Sequence, residues 1–164
     1  MIPDAVDLEK FREPIDHEVL NDLRALHNVP ADKKIVTYTG RIRAEKGSAD
    51  LAPLTKALKD SQAFLLICGD SPDRKKLEMA LVEADCPDRW AVTGYLPPEE
   101  VRIAFRIADL LFLPSRKEML GSVLLEAMAS GVPDVAYAVG GIVDVAGKEG
   151  AIRLVPPNGQ ESLE

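Results

Sequence analysis

From Lys34 onward, short apolar runs alternate with longer segments of helical period. The run Ala63–Gly69 is apolar almost throughout, as expected of a strand buried on both faces of a parallel sheet. Strands that alternate with helices build βαβ units with right-handed crossovers. The sequence therefore predicts an α/β domain of three layers, with helices on both faces of a mostly parallel sheet of about five or six strands.

The strand predictions rest on apolar, β-rich runs that end at Gly or Pro, and they cover residues 34–40, 63–69, 90–96, 109–115, 133–141 and 151–157. The helix predictions rest on apolar residues at helical spacing, and they cover residues 16–27, 49–59, 72–84, 97–108 and 121–130. Asp16 is a candidate N-cap, and Gly131 a candidate C-cap. Residues 1–15 show no clean period, so we expect an interdomain linker or arm there and one domain over residues 16–164.

Composition excludes several classes of protein. The chain has 164 residues, of which 46% are hydrophobic, which suits one globular domain. Its net charge of −7 repels nucleic-acid phosphates, so no nucleic-acid partner is expected. No apolar run approaches the roughly 20 residues of a membrane span, and no signal peptide is evident. We expect a cytoplasmic protein.

Metal and thiol chemistry are not expected. Cys68 and Cys86 lack a CxxC spacing and are interpreted as buried free thiols in a reducing compartment. His17 and His27 cannot make a zinc site alone. No Asp-x-Asp pair is present to chelate a metal, so neither a metal site nor a bound cofactor is predicted.

Ligands of doubly wound domains bind beyond the carboxyl ends of the strands. The segments that follow the predicted strands are residues 40–47, 69–71, 94–96, 114–121 and 140–141. Most of them contain glycine close to the strand end, which indicates a backbone held close to a ligand.

The first of these segments carries two cations, Arg41 and Lys46, flanked by Gly40 and Gly47. Both cations could donate charge-assisted hydrogen bonds to phosphate. The alternative is a solvated basic loop paired with Glu45. No Gly-Lys-Ser/Thr follows, so the segment is not a Walker A loop.

A second motif places Glu118 before a predicted helix and Glu126 within it, with seven residues between them. Gly121 and Ser122 fall at the helix N-terminus, where free N–H groups attract an anion. Glu126 lies in an apolar stretch and needs partners, which sugar hydroxyls would supply. Alternatively, Glu118 is a capping acid and Glu126 bonds a neighbouring loop.

A third motif, Gly94-Tyr95-Leu96-Pro97-Pro98, could lay backbone and an apolar edge along a nucleobase. It could equally be a plain strand–helix junction, and the Gly140-Gly141 loop is similarly open. No GxGxxG follows the first strand, and no GxSxG is present.

The two glutamates and their surroundings, SRKEMLGSVLLEAMASGVP, resemble the E-x7-E signature of retaining GT-B glycosyltransferases of family 4, also called glycosyl transferases group 1. Further motifs of that family occur in the expected order, namely TGRIRAEKG, VTGYLPPEEV, IADLLFLPS, VGGI and LVPPNG. The segment IPDAVDLEKFREP is similar to the linker that opens the second half of such enzymes. The resemblance implies the Rossmann-like, C-terminal domain of a GT-B fold, which binds the sugar-nucleotide donor.

By this resemblance, Arg41 and Lys46 hold the diphosphate, Glu118 contacts the transferred sugar, and these three residues carry catalysis. Glu126 would bind the ribose diol. The remaining donor-binding positions that the resemblance implies are Gly40, Gly94, Tyr95, Leu96, Leu120, Gly121, Ser122 and Val123. The reaction implied is metal-independent transfer of a hexose-type sugar to a hydroxyl acceptor with retained configuration. UDP-sugars are the favoured donors, since the Glu-Met-Leu-Gly run is similar to one in sulfoquinovosyl transferases, and GDP-sugars come second.

A complete enzyme of this family has a further, N-terminal domain, which we expect as the missing partner of this half. We expect the chain alone to bind donor weakly and to be inactive. Any peripheral membrane association would come through that other half, and the exposed interdomain face could drive self-association. The alternatives are a non-catalytic nucleotide-binding or regulatory module on the same fold, and an unrelated Rossmann-like domain of the sugar-nucleotide epimerase type.

The sequence departs from the family pattern at several positions. Asp134 puts a charge at the start of an expected buried strand, which would cost several kcal/mol if unpaired. Asp4-Ala5 replaces Asn-Gly, Val143 replaces a common Pro, and residues 147–150 shorten a family segment.

Overall fold

The computed structural model of the chain describes residues 6–146 and 152–157. In this part of the chain, a six-stranded parallel sheet has the order β3-β2-β1-β4-β5-β6. The strands are β1 (Lys34–Thr39), β2 (Ala63–Cys68), β3 (Trp90–Gly94), β4 (Leu110–Leu113), β5 (Asp134–Tyr137) and β6 (Ile152–Val155). The predicted doubly wound α/β fold is confirmed.

Helices cover both faces of this sheet. They are α1 (Leu8–Arg12), α2 (His17–Leu26), α3 (Leu51–Ala57), α4 (Arg74–Glu83), α5 (Pro98–Ile107), α6 (Ser122–Ala129) and α7 (Ile142–Ala146). Short 3-10 turns cover Ala44–Lys46, Ser48–Asp50 and Pro87–Arg89.

Local chemistry explains where the predicted helices begin and end. The Asp16 carboxylate accepts a hydrogen bond from the Glu18 backbone N–H and caps α2. Helix α5 begins at Pro98 with two acids in its first turn, which suits the positive end of the helix dipole. After α6, Gly131 adopts φ 79°, a conformation that favours glycine.

Successive residues of β1 face opposite layers of the core. Val36 and Tyr38 pack with α3 and α4 on one face of the sheet, whereas Ile35 packs with α2 and α5 on the other. Leu111 and Leu124 belong to a third cluster, which fills the space between β4, β5 and α6. Full burial of each such aliphatic side chain contributes about 1.5–3 kcal/mol.

The N-terminal segment contains the helix α1, which the sequence did not predict. Phe11 packs against the core cluster of Phe105 and Leu124. The Arg102 guanidinium donates to the backbone oxygens of Lys10 and Glu13 at 3.0 and 3.3 Å. The segment is therefore attached to α5 and the core, and the boundary at residue 16 stays a prediction.

Asp134 is the first residue of β5, as expected, and its side chain is buried. It pairs with Leu111 of β4 and Ile152 of β6 through the backbone. No described residue bonds either carboxylate oxygen, and burial raises the pKa of Asp134 to about 8.

Several further sequence predictions can be compared with the structure. Cys68 and Cys86 are free and buried. No helix among the described residues is long and apolar enough to cross a membrane. Helix α7, which contains Val143, is not among the predicted helices. Asp4-Ala5 and residues 147–150, for which the sequence indicates departures from the family pattern, lie outside the described residues.

Candidate functional site

The loops after β1 and β4 meet where the strand order reverses, since β1 lies between β2 and β4. Ligands of doubly wound folds bind in the crevice at this position. The two loops approach closely at Gly47, which has φ 72°. A Cβ there would lie 1.9 Å from the Pro114 carbonyl oxygen, so only glycine permits the approach.

Lys46 and Glu118 form an ion pair across this junction. Their side-chain atoms Nζ and Oε2 are 2.6 Å apart, and the side chains are 28% and 15% exposed. Glu45 instead lies 3.7 Å from Arg43, so the alternative that paired the basic loop with Glu45 does not describe Lys46. The two motifs that sequence reasoning singled out separately are in direct contact.

Glu118 does not cap the following helix. The N-cap of α6 is Gly121, in the left-handed conformation at φ 74°, and no side chain within the described part of the chain forms a capping hydrogen bond there. The Glu118 Cγ atom lies 3.5 Å from the position of a Cβ on Gly121, so the glutamate stem packs beside the helix start. The capping alternative is therefore wrong, and the Glu118 carboxylate is directed to Lys46.

The Gly140-Gly141 loop packs against the backbone of Glu118 and Met119. A Cβ on Gly140 would lie 2.0 Å from the Glu118 carbonyl oxygen, and one on Gly141 would lie 1.9 Å from that of Met119. The Gly141 N–H donates to the Glu118 carbonyl at 3.4 Å. These glycines, left open by the sequence, have a role in backbone packing under the glutamate.

Arg41 lies at the carboxyl end of β1 with an exposed side chain. Its backbone oxygen accepts a hydrogen bond of 2.7 Å from the Tyr38 hydroxyl. Tyr38 is fully buried, and burial together with the negative charges of Glu118 and Glu45 raises its pKa. Among the described residues, no side chain pairs with the Arg41 guanidinium, which is thus available to an anion.

The first turn of α6 presents backbone N–H groups beside the Lys46–Glu118 pair. The N–H groups of Ser122 and Val123 lie in this turn and lack intrahelical acceptors by helix geometry. Leu120 and Gly121 lead into it. The partial positive charge of this helix start thus lies close to Glu118, whose carboxylate pairs with Lys46.

Glu126 lies in the second turn of α6 and is half-buried. Burial raises the pKa of its carboxyl group, and no described residue forms a hydrogen bond or ion pair with it. The structure therefore gives no support to the alternative that Glu126 bonds a neighbouring loop. An unpartnered, half-buried carboxylate is suited to accept hydrogen bonds from a ligand.

A cavity of about 230 Å³ opens at the carboxyl ends of β1, β2 and β3. It is lined by Thr39, Gly40, Arg41, Cys68, Gly69, Asp70, Tyr95, Leu96 and Val101. The turn predicted to flank a base, including Tyr95 and Leu96, thus shares one cavity with Gly40 and Arg41. Gly94, the first residue of this turn, has φ 81°, and a Cβ there would lie 2.8 Å from Arg74 Nη1.

The sequence analysis named residues 69–71 among the segments beyond the strands but assigned no role to the polar residues of this cavity. Among the residues that the structure describes, none forms a hydrogen bond with the buried Thr39 hydroxyl, and Asp70 is exposed at the rim. Cys68 is inert as a nucleophile, because burial raises the pKa of its thiol to about 11. The positions of these residues at or just after the ends of strands could have indicated a ligand site. Residues of these types at such positions ordinarily have a structural role, however.

No group of three or more His, Cys, Asp or Glu side chains that could hold a metal ion occurs within residues 6–146 and 152–157. The charged residues of the two loops that meet at the crevice include the ion pair of Lys46 and Glu118, and Arg41 and Asp70 line the neighbouring cavity.

Sequence comparison with known proteins finds glycosyltransferases, both among family models and among individual relatives. The model of a family described as glycosyl transferases group 1 matches residues 21–164. The 2-deoxystreptamine glucosyltransferase of Streptomyces kanamyceticus is 35% identical over 160 residues, which cover 96% of this chain and 41% of that protein. The chain therefore spans about two fifths of the length of this curated relative.

Solved structures share the fold. The sucrose-phosphate synthase of Thermosynechococcus elongatus matches with a TM-score of 0.82 and 32% identity over 99% of this chain and 40% of its own. Anabaena HepE, solved in complex with UDP, matches with a TM-score of 0.82 and covers 97% of this chain and 44% of its own. Its identity of 21% supports a likeness of fold alone.

Proposed function

The chain belongs to the glycosyl transferases group 1, and we propose that it is the half of such an enzyme that binds the sugar-nucleotide donor. The whole enzyme would transfer a hexose-type sugar from a nucleoside diphosphate to a hydroxyl acceptor, with retained anomeric configuration. Names of relatives support a sugar donor, since one is a glucosyltransferase and another structure holds UDP.

The observation that carries the proposal is the contact between Lys46 and Glu118. A cation suited to phosphate and a carboxylate suited to sugar hydroxyls lie 2.6 Å apart at the crevice of a doubly wound sheet. A sugar diphosphate needs these two chemistries at adjacent positions, because its sugar is bonded directly to the second phosphate. A nucleotide site without a sugar has no need of Glu118.

The chemistry we propose is electrostatic. Cleavage of the bond between sugar and phosphate builds negative charge on the departing diphosphate. In this proposal Lys46, Arg41 and the N–H groups at the start of α6 surround the departing diphosphate, and as preorganised donors they stabilise the charge of the transition state. These cations supply the positive charge, and the proposed reaction uses no metal ion or other cofactor.

Glu118 would orient the transferred sugar. Its carboxylate exchanges the Lys46 contact for hydrogen bonds to sugar hydroxyls when the diphosphate engages the lysine. The acceptor hydroxyl attacks on the face from which the diphosphate departs and passes its proton to the departing diphosphate oxygen, so the configuration is retained. The acceptor would bind to the N-terminal half of the enzyme, so the chain by itself is proposed to be inactive.

The nucleoside would occupy the cavity beside Tyr95 and Leu96. A volume of about 230 Å³ accommodates a base next to Arg41. The half-buried Glu126 carboxylate is free to accept hydrogen bonds from a ribose diol. Uridine is the first candidate for the base and guanosine the second.

Calorimetric titration of the chain with UDP, GDP and ADP tests the proposal. We expect saturable binding of one nucleotide, which Glu126→Gln weakens about tenfold or more through loss of charge-assisted hydrogen bonds. Glu83→Gln is the matched control, because Glu83 is an exposed glutamate on α4. Absence of binding by all three nucleotides, or equal affinity in the Glu126 and Glu83 variants, would contradict the proposal.

A second titration separates a donor site from a regulatory nucleotide site. Glu118→Gln should weaken binding of UDP-glucose relative to UDP, because only the sugar contacts Glu118. Equal effects on both ligands would favour the non-catalytic module.

A further inference from the structure

We propose that Arg116, Asp50 and Tyr137 form a clasp that positions Lys46 for the donor diphosphate. The clasp is a set of contacts that joins the β1 loop, the β4 loop and the end of β5. It rests on the proposed function, because its role is to hold the phosphate-binding loop in place.

The Arg116 guanidinium is the centre of the clasp. Its Nη2 donates to both carboxylate oxygens of Asp50, at 2.9 and 2.8 Å. Its Nη1 donates to the Pro157 carbonyl at 2.9 Å, and its Cζ lies 5.8 Å from the centre of the Tyr137 ring. Arginine is suited to this position, since a planar guanidinium can bond several acceptors and stack on an aromatic ring at once.

The Asp50 carboxylate also contacts Tyr137 at the end of β5. The Tyr137 hydroxyl donates to its Oδ2 atom at 3.1 Å. Tyr137 is 2% exposed, and its ring packs edge-on against Phe112 of β4 with centroids 6.0 Å apart. The carboxylate that receives Arg116 is thus fixed to the core of the sheet.

Backbone hydrogen bonds connect Arg116 to the 3-10 turn that contains Lys46. The N–H groups of Arg116 and Lys117 both donate to the Glu45 carbonyl oxygen, at 2.9 and 3.3 Å. Glu45 directly precedes Lys46 within the same 3-10 turn. Displacement of Arg116 would therefore release the turn that carries the lysine.

The clasp has a function that the Lys46–Glu118 pair cannot perform. When a diphosphate engages Lys46, the ion pair loosens, and with it the side-chain link between the two loops. The Arg116 contacts involve neither Lys46 Nζ nor the Glu118 carboxylate, so they persist when the site is occupied. Arg116 is accordingly a positioning residue, which acts on the ligand through Lys46.

Titration of the 164-residue chain with UDP tests this role. Arg116→Lys keeps the charge but loses the two-oxygen contact with Asp50, and we expect UDP binding about threefold weaker or more. Tyr137→Phe should have a smaller effect in the same direction. Lys34→Ala is the control, because Lys34 forms an ion pair with Asp109 at the opposite end of the sheet.

The decisive measurement is the UDP affinity of the double variant that combines Lys46→Ala with Arg116→Lys. If Arg116 acts through Lys46, Arg116→Lys causes no further loss of affinity in a Lys46→Ala background. A merely structural role would lower affinity by the same factor in both backgrounds, and that outcome would overturn the inference. Melting curves should show Arg116→Lys folded, since partly exposed ion pairs contribute little to stability.

The outcomes separate the clasp from the proposed function. UDP binding that Lys46→Ala weakens, together with unchanged affinity in Arg116→Lys, would refute the clasp alone. Absence of UDP binding by the unmodified chain would refute both.

Discussion

The carbonyl oxygen of Glu118 packs directly on Gly140, so closely that a Cβ at residue 140 would lie 2.0 Å from it. The glutamate that faces the crevice is therefore supported by a glycine that follows β5. This contact explains why small residues are needed in a loop that carries no functional side chain itself.

Gly140→Ala should displace Glu118 and weaken binding of UDP-glucose about tenfold or more. The new methyl group cannot fit beside the Glu118 carbonyl, and the φ of 49° adds about 1–2 kcal/mol of backbone strain. Calorimetry measures the affinity. Gly131→Ala is the matched control, because Gly131 has φ 79° but no atom of the described residues lies within 4 Å of its Cβ position. Equal loss of affinity in the two variants would show that strain, not the displacement of Glu118, is the cause.

Lys46→Ala should weaken UDP binding about tenfold or more, since a charge-assisted hydrogen bond to phosphate contributes about 1.5–3 kcal/mol. Lys117→Ala removes the same charge from an exposed position of the facing loop and should leave affinity nearly unchanged. Titration of both variants under the same salt conditions makes the comparison. Similar losses would indicate a general effect of positive charge and would contradict a specific phosphate contact at Lys46.

Asp134 should make the chain less stable as pH rises. Its pKa is raised from 3.8 to about 8 in the folded protein because burial disfavours the charged form. The unfolded chain releases this proton near pH 4, so the contribution of Asp134 to the free energy of unfolding falls between about pH 4 and pH 8.

Asp134→Val should therefore raise the free energy of unfolding at pH 8 by about 2 kcal/mol or more, and less at pH 5. Urea denaturation at the two pH values measures this. Asp144→Val removes an exposed carboxylate and serves as the control. A gain for Asp134→Val that is equal at both pH values would argue against burial of the ionised form as the cause.

Much of the fold could be predicted because its signals are local. The apolar run of β2, the Asp16 cap and the Pro and acids at the start of α5 each depend on neighbouring residues only. Helix α1 was missed, since five residues provide too little periodicity and its stability comes from Phe11 packing on a distant core. Helix α7 is equally short.

The candidate site could be predicted in its residues but not in its contacts. Lys46 and Glu118 are 72 residues apart, and their ion pair depends on β4 lying beside β1. The same strand order brings Asp50 to Arg116, so the clasp has no sequence signal of its own. The roles of Arg41, Lys46, Glu118 and Glu126 in ligand binding stay predictions.

A crystal structure of the chain grown with UDP is the most direct test of the donor site. We predict diphosphate oxygens within about 3 Å of Lys46 Nζ and the Arg41 guanidinium. The ribose hydroxyls should donate to the Glu126 carboxylate, and the base should lie beside Tyr95. A diphosphate bound away from both cations, with the Lys46–Glu118 pair still closed, would contradict this prediction.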